Sequence, residues 1–360
     1  MTREVLKGRI EALIDGRPEA DARDGLLEDL LQLQARHIEV YRRLLEQGSP
    51  APAAARPFLS SPALPTDVFR FARAAMHPSE QDVRVFRTSG TTAAARGAHH
   101  LRDLSLYDRA ARTAARHMLF PDRESMPLLI LAPRAEELPD SSLSYMLSRF
   151  DQWFGDSMAV YALRNGQLDG EALCTALARS QQSGEPLALL GTSFAFVHAD
   201  ELLAHRRFSL PSGSRIMQTG GFKGRSRELS PSQMLQMLSQ RYGIGESFII
   251  AEYGMTEMSS QLYETPLRAA LGLEAEGPRR LWVPPWVRAT PVDPHTLEPL
   301  DSDAEGILRI DDAANLDTPC AIQTSDRARR LDDGVQLLGR AEGATPRGCS
   351  LAIDAALSRS

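Results

Sequence analysis

The sequence holds few of the residues that mark specialised classes of protein. Its 3 cysteines, at positions 174, 320 and 349, form no Cys-x-x-Cys or Cys/His pattern, so neither a disulfide framework nor a zinc site is expected. No run of roughly 18 apolar residues is present, and the sequence therefore predicts no membrane-spanning helix. Basic residues are not in excess, because 41 Lys and Arg stand against 47 Asp and Glu, so nucleic acid is not expected as a partner.

The composition is that of a folded protein with a substantial core. Of its 360 residues, 42% are hydrophobic and 24% are charged, and the mean hydropathy is −0.28. This length fits one large α/β body or two smaller lobes. The first residues, Met1 to Val5, lack the charged and then apolar pattern of a secretory signal, so we expect a cytoplasmic protein with reduced thiols.

The N-terminal region predicts an amphipathic helix over residues 24–47, followed by an extended linker. Five apolar side chains recur there at helical spacing: Leu27, Leu31, Ile38, Tyr41 and Leu45. The linker, from Ser49 to Pro65, is rich in proline. We therefore expect three parts: residues 1–65, a helix and linker packing on the body; 66–340, the main α/β domain; and 341–360, a short tail.

Short apolar runs alternate with helical segments through the middle of the chain, which indicates an α/β sheet. The predicted strands are Val83–Phe86, Leu128–Ala132, Leu187–Leu190, Arg215–Met217 and Phe248–Ala251. One helix start is well marked, because Ser230 is followed by proline and, at the third helical position, by Gln233. After Trp282 the pattern changes to strands and turns, which predicts a β-rich subdomain.

A loop rich in hydroxyl groups follows the first predicted strand. It reads Thr88-Ser89-Gly90-Thr91-Thr92, with Arg96 shortly after. Backbone N–H and side-chain hydroxyl groups around a glycine can cradle phosphate oxygens. The same composition is also common in ordinary turns. This segment alone therefore does not decide between a phosphate-binding loop and an ordinary turn.

A second polar segment follows the apolar run that ends at Ala251. Glu252, Tyr253, Gly254, Met255, Thr256 and Glu257 come in this order. Such a strand end suits a nucleotide site, in which the aromatic ring packs on the base, the hydroxyl bonds a phosphate and the carboxylate holds Mg²⁺. The metal residue is then Glu257; the alternative is a solvated glutamate at a helix start.

Two further segments supply candidate ligand groups. Asp326, in Thr324-Ser325-Asp326, can accept both hydroxyls of a ribose, and Arg340 can fork onto a phosphate or ribose oxygen. A third segment, Thr192-Ser193-Phe194-Ala195-Phe196, follows a predicted strand and can line an apolar pocket; core packing at a helix start is the alternative. The adjacent His99 and His100 could reach phosphates, or one could be buried and the other exposed.

The order of these motifs resembles the adenylate-forming superfamily, which includes acyl-CoA synthetases, adenylation domains of peptide synthetases and luciferases. Finer features resemble one branch, the LuxE-type acyl-protein synthetases, which activate fatty acids for a reductase of bacterial bioluminescence. These features are Gln218–Gly224, Gly97–Asp103 and Arg347–Leu351. The resemblance extends from Thr88 to Arg340, with the last feature beyond it.

The resemblance implies a fold, two cofactors and a reaction. The fold is α/β, the large N-terminal domain of that superfamily, with layered sheets and a β-rich subdomain but without the usual mobile C-terminal lobe. ATP and Mg²⁺ are the implied cofactors. A carboxylate oxygen attacks the α-phosphorus of ATP, pyrophosphate leaves, and a thiol intercepts the resulting acyl-adenylate. The implied partners are the acid and an acyl acceptor, either a reductase or carrier protein, or CoA.

The resemblance also implies a role for each candidate residue. The nucleotide would be held by Thr88, Ser89, Gly90, Thr91, Thr92 and Arg96 at the phosphates, Gly220, Gly221, Tyr253 and Gly254 around the adenine, Thr256 at the α-phosphate, Glu257 at Mg²⁺, Asp326 at the ribose and Arg340 at the ribose or hinge. Lys223 would neutralise pyrophosphate, although a solvated turn lysine is the alternative. The acyl pocket would be lined by Thr192, Ser193, Phe194 and Phe196.

The sequence departs from the superfamily in its phosphate loop and near its end. Alanines occupy positions 93–95, where the family has a glycine and later a lysine, so Arg96 would supply the cation. Cys349 stands near the end, where the resembling family carries an acylated cysteine, and the neighbouring Arg347 favours its thiolate. The alternative for Cys349 is a small buried side chain, as expected for Cys174 and Cys320.

These observations favour an ATP-dependent enzyme that makes an acyl thioester on a protein cysteine. Two alternatives remain at this point. The acceptor could be CoA or a carrier protein, or the chain could be a non-catalytic module that binds a nucleotide or an acyl group. The joint presence of Glu257, Asp326 and Arg340 favours the enzyme over the module.

Overall fold

A computed structural model describes residues 1–17, 22–47, 61–88, 96–156, 159–164, 166–220 and 229–341. Its helices are α1 (Arg3–Ile14), α2 (Arg23–His37), α3 (Glu39–Gln47), α4 (Ser105–Met118), α5 (Ser142–Phe154), α6 (Gly170–Ser183), α7 (Ser193–Leu203), α8 (Pro231–Tyr242) and α9 (Pro266–Ala270). None of these helices combines the length and apolar character needed to cross a bilayer, so the prediction of no membrane-spanning helix is confirmed for the described part of the chain.

The strands are short in the first half of the chain and longer near its end. They are β1 (Leu64–Pro65), β2 (Arg84–Arg87), β3 (Ala98–Leu101), β4 (Leu128–Leu131), β5 (Val160–Tyr161), β6 (Leu163–Arg164), β7 (Gln167–Leu168), β8 (Ala188–Thr192), β9 (Arg215–Thr219), β10 (Ile249–Tyr253), β11 (Leu262–Glu264), β12 (Leu281–Trp282), β13 (Val287–Val292), β14 (Glu305–Asp312), β15 (Ala321–Leu331) and β16 (Gly334–Arg340). Each of the five strands predicted from the sequence is confirmed, with its bounds shifted by a few residues.

The chain divides into two compact units. Unit 1 is formed by the described residues within Met1–Ala114, Met255–Leu262 and Arg280–Thr345. Unit 2 is formed by those within Ala115–Gly254 and Tyr263–Arg279. The two units are therefore built from interleaved stretches of sequence.

Unit 2 is built on a parallel sheet with the strand order β10-β9-β8-β4-β5. Strands β4 and β8 are buried at every position, which suits central strands of a parallel sheet covered on both faces. Helices connect the strands, and the starts of α5, α6, α7 and α8 are each capped by a side chain. The capping box predicted at Ser230 is confirmed at the start of α8, where Ser230 and Gln233 bond each other's backbone N–H.

One glycine allows close packing of two central strands. Gly191 of β8 lies opposite Leu131 of β4, and a Cβ atom on Gly191 would come within 2.8 Å of the Leu131 Cβ. That separation is shorter than a non-bonded carbon contact, so any side chain at Gly191 would push the strands apart.

Unit 1 contains the β-rich subdomain that the sequence predicted after Trp282. Strands β13, β14, β15 and β16 form an antiparallel sheet in this order, and β12 pairs with β16. Strands β2 and β3 form a separate antiparallel pair. This pair flanks the hydroxyl-rich loop, and so it determines where that loop begins and ends.

The N-terminal helices pack their apolar face inward in unit 1. All five side chains used to predict the helix over residues 24–47 are buried, so the predicted face is confirmed. The prediction of one continuous helix was wrong, because Ile38 has extended backbone angles (φ −101°, ψ 103°) and separates α2 from α3. The break leaves Ile38 fully buried, so burial of this side chain has outweighed helix continuity. Helix α1 was not predicted from the sequence.

Candidate functional site

The Thr256–Glu257 turn in unit 1 contains two of the predicted ligand groups. It connects β10 and β11, and both residues are buried, with Glu257 only 4% exposed. The alternative expectation, a solvated glutamate at a helix start, was therefore wrong in both respects. A buried carboxylate needs specific partners, and the sequence predicted a divalent cation at Glu257.

The turn is fixed at four backbone groups by three buried side chains. The His99 Nδ1 lies 2.7 Å from the Thr256 carbonyl oxygen, and Asn315 donates to the Glu257 carbonyl at 2.9 Å. The Asp312 carboxylate accepts from the backbone N–H groups of Ser259 and Ser260, at 3.0 and 2.9 Å. These bonds hold the backbone of the turn in place.

The hydroxyl of Thr256 is the second indication of a ligand here. Its Oγ1 atom is buried and has no hydrogen-bond partner among the residues that the structure describes. A buried hydroxyl without a partner is unusual in a folded protein and points to a group that is bound in the functional state. Within the same described residues, no cluster of three or more His, Cys, Asp or Glu side chains could hold a metal ion. One carboxylate together with phosphate oxygens and water is the environment typical of Mg²⁺.

Asp326 and Arg340 lie on the neighbouring strands β15 and β16 of unit 1. They are register partners, and the Arg340 Nε is 3.2 Å from the Asp326 Oδ1. Their side chains are 14% and 31% exposed, so both retain a surface that a ligand can reach. The structure thus brings together two residues that the sequence singled out separately.

Thr88 and Arg96 close the base of the hydroxyl-rich loop in unit 1. The Thr88 hydroxyl accepts from the Gly97 N–H at 2.7 Å, and the Thr88 N–H donates to the Gly97 carbonyl at 2.9 Å. Arg96 donates from Nε to the Thr88 carbonyl at 2.6 Å. Both side chains therefore bond the backbone at the mouth of the loop, and their predicted contacts with phosphates stay predictions.

In unit 2, polar residues gather at the carboxyl ends of three parallel strands. Thr192, Thr219 and Glu252 are successive register partners on β8, β9 and β10. The hydroxyl of Ser193, the residue after β8, donates to the Gly220 carbonyl at 2.8 Å and also bonds the Gln218 side chain. Ligands of open α/β sheets bind at this end of the strands, which makes this edge the candidate ligand surface of unit 2.

Glu252 is the titratable group at this edge. Its carboxylate accepts from the Thr219 hydroxyl, and the residue is 7% exposed. Burial raises the pKa of the Glu252 carboxyl to about 7, because the charged form loses its hydration, although the bond from Thr219 lowers it in part. Glu252 is therefore poised to change protonation near neutral pH, a property that the sequence did not reveal.

The predicted acyl-pocket residues occupy different environments in unit 2. Thr192 caps helix α7, its hydroxyl accepting from the Ala195 N–H at 3.0 Å. Phe196 is fully buried and packs edge-to-face on Tyr242, with 6.4 Å between ring centres, as in the core-packing alternative. Phe194 is half-buried.

The remaining candidates divide into described and undescribed residues. Gly220 is exposed directly after β9 and has a positive φ of 76°, a conformation that favours glycine. Tyr253 ends β10 and Gly254 follows it, both half-buried. The predictions for Ser89, Gly90, Thr91, Thr92, Gly221, Lys223 and Cys349 lie outside the described residues. Of the other two cysteines, Cys320 is buried and Cys174 is partly buried.

The supports of the Thr256–Glu257 turn were not recognised from the sequence as such. His99 was considered as a phosphate ligand or as one of a buried and an exposed histidine, but not as a support of the turn. It is buried, and the alternation of burial along β3 places it on the same inward face as Leu101. That alternation is a usable signal. Asp312 and Asn315 border the connection between β14 and β15, and nothing in their local sequence indicates contact with a turn some fifty residues earlier.

Comparison with known proteins identifies a family match over nearly the whole chain. The family model described as acyl-protein synthetase, LuxE, matches residues 21–358. A long-chain-fatty-acid–luciferin-component ligase of Vibrio harveyi is 22% identical over 245 residues, which cover 65% of this chain and 61% of that protein. The protein of the same name from Aliivibrio fischeri is 23% identical over 309 residues, covering 81% of this chain and 77% of its own length.

Solved structures share the fold at low sequence identity. An open conformation of 2-hydroxyisobutyryl-CoA ligase, in complex with 2-HIB-AMP and CoA, aligns with a TM-score of 0.64 at 12% identity, covering 89% of this chain and 70% of that chain. The same ligase in the thioesterification state gives a TM-score of 0.64 at 15% identity, with 91% and 70% covered. The predicted fold, a large α/β domain of the adenylate-forming type, is thereby confirmed.

Proposed function

Because the chain belongs to the LuxE family of acyl-protein synthetases, we propose that it activates a carboxylic acid with ATP and passes the acyl group to a thiol. In the first step a carboxylate oxygen bonds to the α-phosphorus of ATP, and pyrophosphate leaves with the electron pair of the broken P–O bond. In the second step a thiolate bonds to the acyl carbon, and AMP leaves. The product is a thioester, and the acid is a long-chain fatty acid, as in the names of the Vibrio and Aliivibrio relatives.

The observation that carries this proposal is the buried Thr256–Glu257 turn. A hydroxyl without a partner and a carboxylate of 4% exposure occur side by side, on a backbone held at four points. A rigid pair of this kind suits a reaction that needs an α-phosphate and its cation in fixed positions. We assign Thr256 to the α-phosphate.

We assign Glu257 to Mg²⁺, which the carboxylate and phosphate oxygens would hold together. When bound, Mg²⁺ neutralises charge on the phosphates and so makes the α-phosphorus a better electrophile. Glu257 fits because it is a buried acidic residue that directly follows Thr256, whose hydroxyl is orphaned. Its contribution is to place negative charge where the cation is needed, and it carries no proton in either step.

The other ligand roles follow from position in each unit. In unit 1, the Asp326 carboxylate would accept from the ribose hydroxyls, and Arg340 would hold that carboxylate in place at 3.2 Å. In unit 2, Gly220 and Tyr253 stand at the ends of neighbouring strands, which supports their assignment to the adenine. Ser89, Gly90, Thr91 and Thr92, with Thr88 and Arg96 at the loop base, keep their assignment to the phosphates, and Lys223 to pyrophosphate.

The acyl acceptor is proposed to be a protein cysteine, with Cys349 as the candidate in this chain. Thr192, Ser193, Phe194 and Phe196 are the proposed neighbours of the acyl group. The packing of Phe196 on Tyr242 supports an indirect role for that ring, through the shape of the core. The proposal places the reaction in the cytoplasm, where thiols are kept reduced.

The experiment is intact-mass spectrometry of the full chain after incubation with ATP, Mg²⁺ and single fatty acids of increasing length. We expect an ATP-dependent mass increase equal to the acyl group, sensitive to hydroxylamine and lost in Cys349→Ser. Cys174→Ser is the matched control and should keep the adduct. Acyl-CoA formation when CoA is added, without a protein adduct, would identify CoA as the acceptor. Release of neither AMP nor an acyl product with any acid would refute the proposal.

A further inference from the structure

A buried polar network in unit 1 joins helix α2 to the Thr256–Glu257 turn. Its first member is Gln34, which is fully buried. The Gln34 Nε2 donates to the carbonyls of Asn315 and Thr318, both at 2.6 Å, and its Oε1 accepts from the Cys320 N–H at 2.8 Å. Both ends of this amide are therefore bonded to the connection between β14 and β15.

The same connection carries two side chains that reach toward the turn. Asn315 donates from Nδ2 to the Glu257 carbonyl at 2.9 Å, while its own carbonyl is held by Gln34. The Thr318 hydroxyl lies 2.8 Å from the His99 Nε2, and the Thr318 carbonyl is also held by Gln34. Gln34 thus holds the backbone of Asn315, which contacts the turn, and the backbone of Thr318, which contacts His99.

The geometry determines which nitrogen of His99 carries the proton. A carbonyl oxygen can only accept, so Nδ1–H donates to the Thr256 carbonyl, and Nε2 accepts from the Thr318 hydroxyl. Burial lowers the pKa of His99 to about 4, because the imidazolium would lose its hydration, and the ring is neutral at pH 7. The neutral ring is the form that both bonds require.

We propose that His99 and Gln34 are positioning residues for the activation step, His99 by holding the Thr256 carbonyl and Gln34 by holding the connection that carries Asn315 and Thr318. The inference rests on the proposed function, since it gives these residues a role in placing Thr256 and Glu257. Neither side chain is assigned a contact with a ligand. Their effect reaches the reaction through two backbone carbonyls of one turn, much as outer residues orient the ligands of a metal site.

The test compares His99→Leu and His99→Asn in acid-dependent exchange of labelled pyrophosphate into ATP. In asparagine the amide nitrogen is bonded to Cγ, like Nδ1 of histidine, so His99→Asn keeps a donor for the Thr256 carbonyl. We expect His99→Leu and Gln34→Leu to raise the half-saturating concentration of Mg·ATP about ten- to hundredfold. His99→Asn should recover most of this loss. Thr318→Val, a milder change, should give a smaller effect in the same direction.

The matched control is Tyr41→Phe, which removes one buried hydrogen bond, from the Tyr41 hydroxyl to the Pro62 carbonyl at 3.3 Å, in the same unit. It should lower thermal stability without changing the half-saturating Mg·ATP concentration. Unchanged half-saturation in folded Thr318→Val and Gln34→Leu, with any loss in His99→Leu explained by a smaller folded fraction, would overturn the inference.

Calorimetric titration with Mg·ATP separates this inference from the proposed function, because it does not require turnover. If the wild type binds Mg·ATP but shows no exchange, the proposed function is refuted. The order of the variants' affinities for Mg·ATP would still decide the role of His99 and Gln34. Absence of nucleotide binding in the wild type would overturn both.

Discussion

Asp326 and Arg340 form an ion pair across β15 and β16, with the Arg340 Nε 3.2 Å from the Asp326 Oδ1. The pair is partly exposed, so it is expected to contribute less than about 1 kcal/mol to the free energy of unfolding. The main effect of the pair is therefore geometric, since it orients the Asp326 carboxylate, which is 14% exposed.

Asp326→Asn should weaken nucleotide binding while leaving the fold intact. The amide keeps one acceptor for a ribose hydroxyl but loses the charge, so we expect the KM for ATP in pyrophosphate exchange to rise about tenfold. Glu305→Gln is the matched control, because Glu305 pairs with Arg327 on the neighbouring strand of the same sheet and has no proposed ligand role. An equal change in KM for both variants would contradict the assignment of Asp326.

Gly191→Ala should destabilise unit 2 by about 1–3 kcal/mol. The new methyl group would lie 2.8 Å from the Leu131 Cβ on the adjacent buried strand, and neither strand can move without disturbing the core. Gly25→Ala is the opposite case, since Gly25 is exposed within α2 and a Cβ there meets nothing within 4 Å. It should stabilise the protein by up to about 1 kcal/mol. Chemical denaturation of both variants measures the two changes.

Glu252→Gln should make the free energy of unfolding less dependent on pH between pH 5 and 8. The pKa of the folded Glu252 carboxyl is about 7, against an ordinary value of 4.5, so the folded state holds a proton that the unfolded state has lost in this interval. The free energy of unfolding therefore falls as the pH rises through this interval, and it is lowest above pH 7, where the buried carboxyl must ionise. Between pH 5 and 8 the wild type should lose about 3 kcal/mol relative to Glu252→Gln. Parallel stability curves for the two proteins would contradict this.

His99→Asn should make the protein less sensitive to acid. The pKa of His99 is about 4 in the folded state, against an ordinary value of 6.5, so between these values the unfolded chain binds a proton that the folded chain does not. The stability supplied by neutral His99 is full above pH 6.5 and is lost as the pH falls toward 4. The asparagine variant has no titrating group at this position. Thermal unfolding at pH 7 and pH 4.5 should therefore show a smaller decrease for the variant than for the wild type.

Local signals in the sequence identified several elements that position the site. The capping box at Ser230 and the buried runs of β4 and β8 depend on neighbouring residues, and each is present in the structure. The break at Ile38 was not predictable in this way. It arises because burial of Ile38 outweighs the helical preference of the residues around it.

Candidate residues of the site could be predicted from the sequence where they lie in a contiguous motif, as Thr256 and Glu257 do. Their supports were not, because His99, Asn315 and Gln34 come from segments that only the tertiary fold brings together. The raised pKa of Glu252 also depends on burial by distant residues. Sequence patterns therefore indicated the candidate ligand groups better than the groups that hold their backbone in place.

The most direct test of the account is exchange of labelled pyrophosphate into ATP, in the presence of a long-chain fatty acid, by the wild type and by Glu257→Gln. We predict acid-dependent exchange in the wild type and a loss on the order of 10²-fold in Glu257→Gln at a fixed Mg²⁺ concentration. Glu264→Gln, which alters a half-buried carboxylate paired with Arg279, should retain the wild-type rate. Wild-type exchange by folded Glu257→Gln, or no exchange by the wild type with any acid, would contradict the central claim.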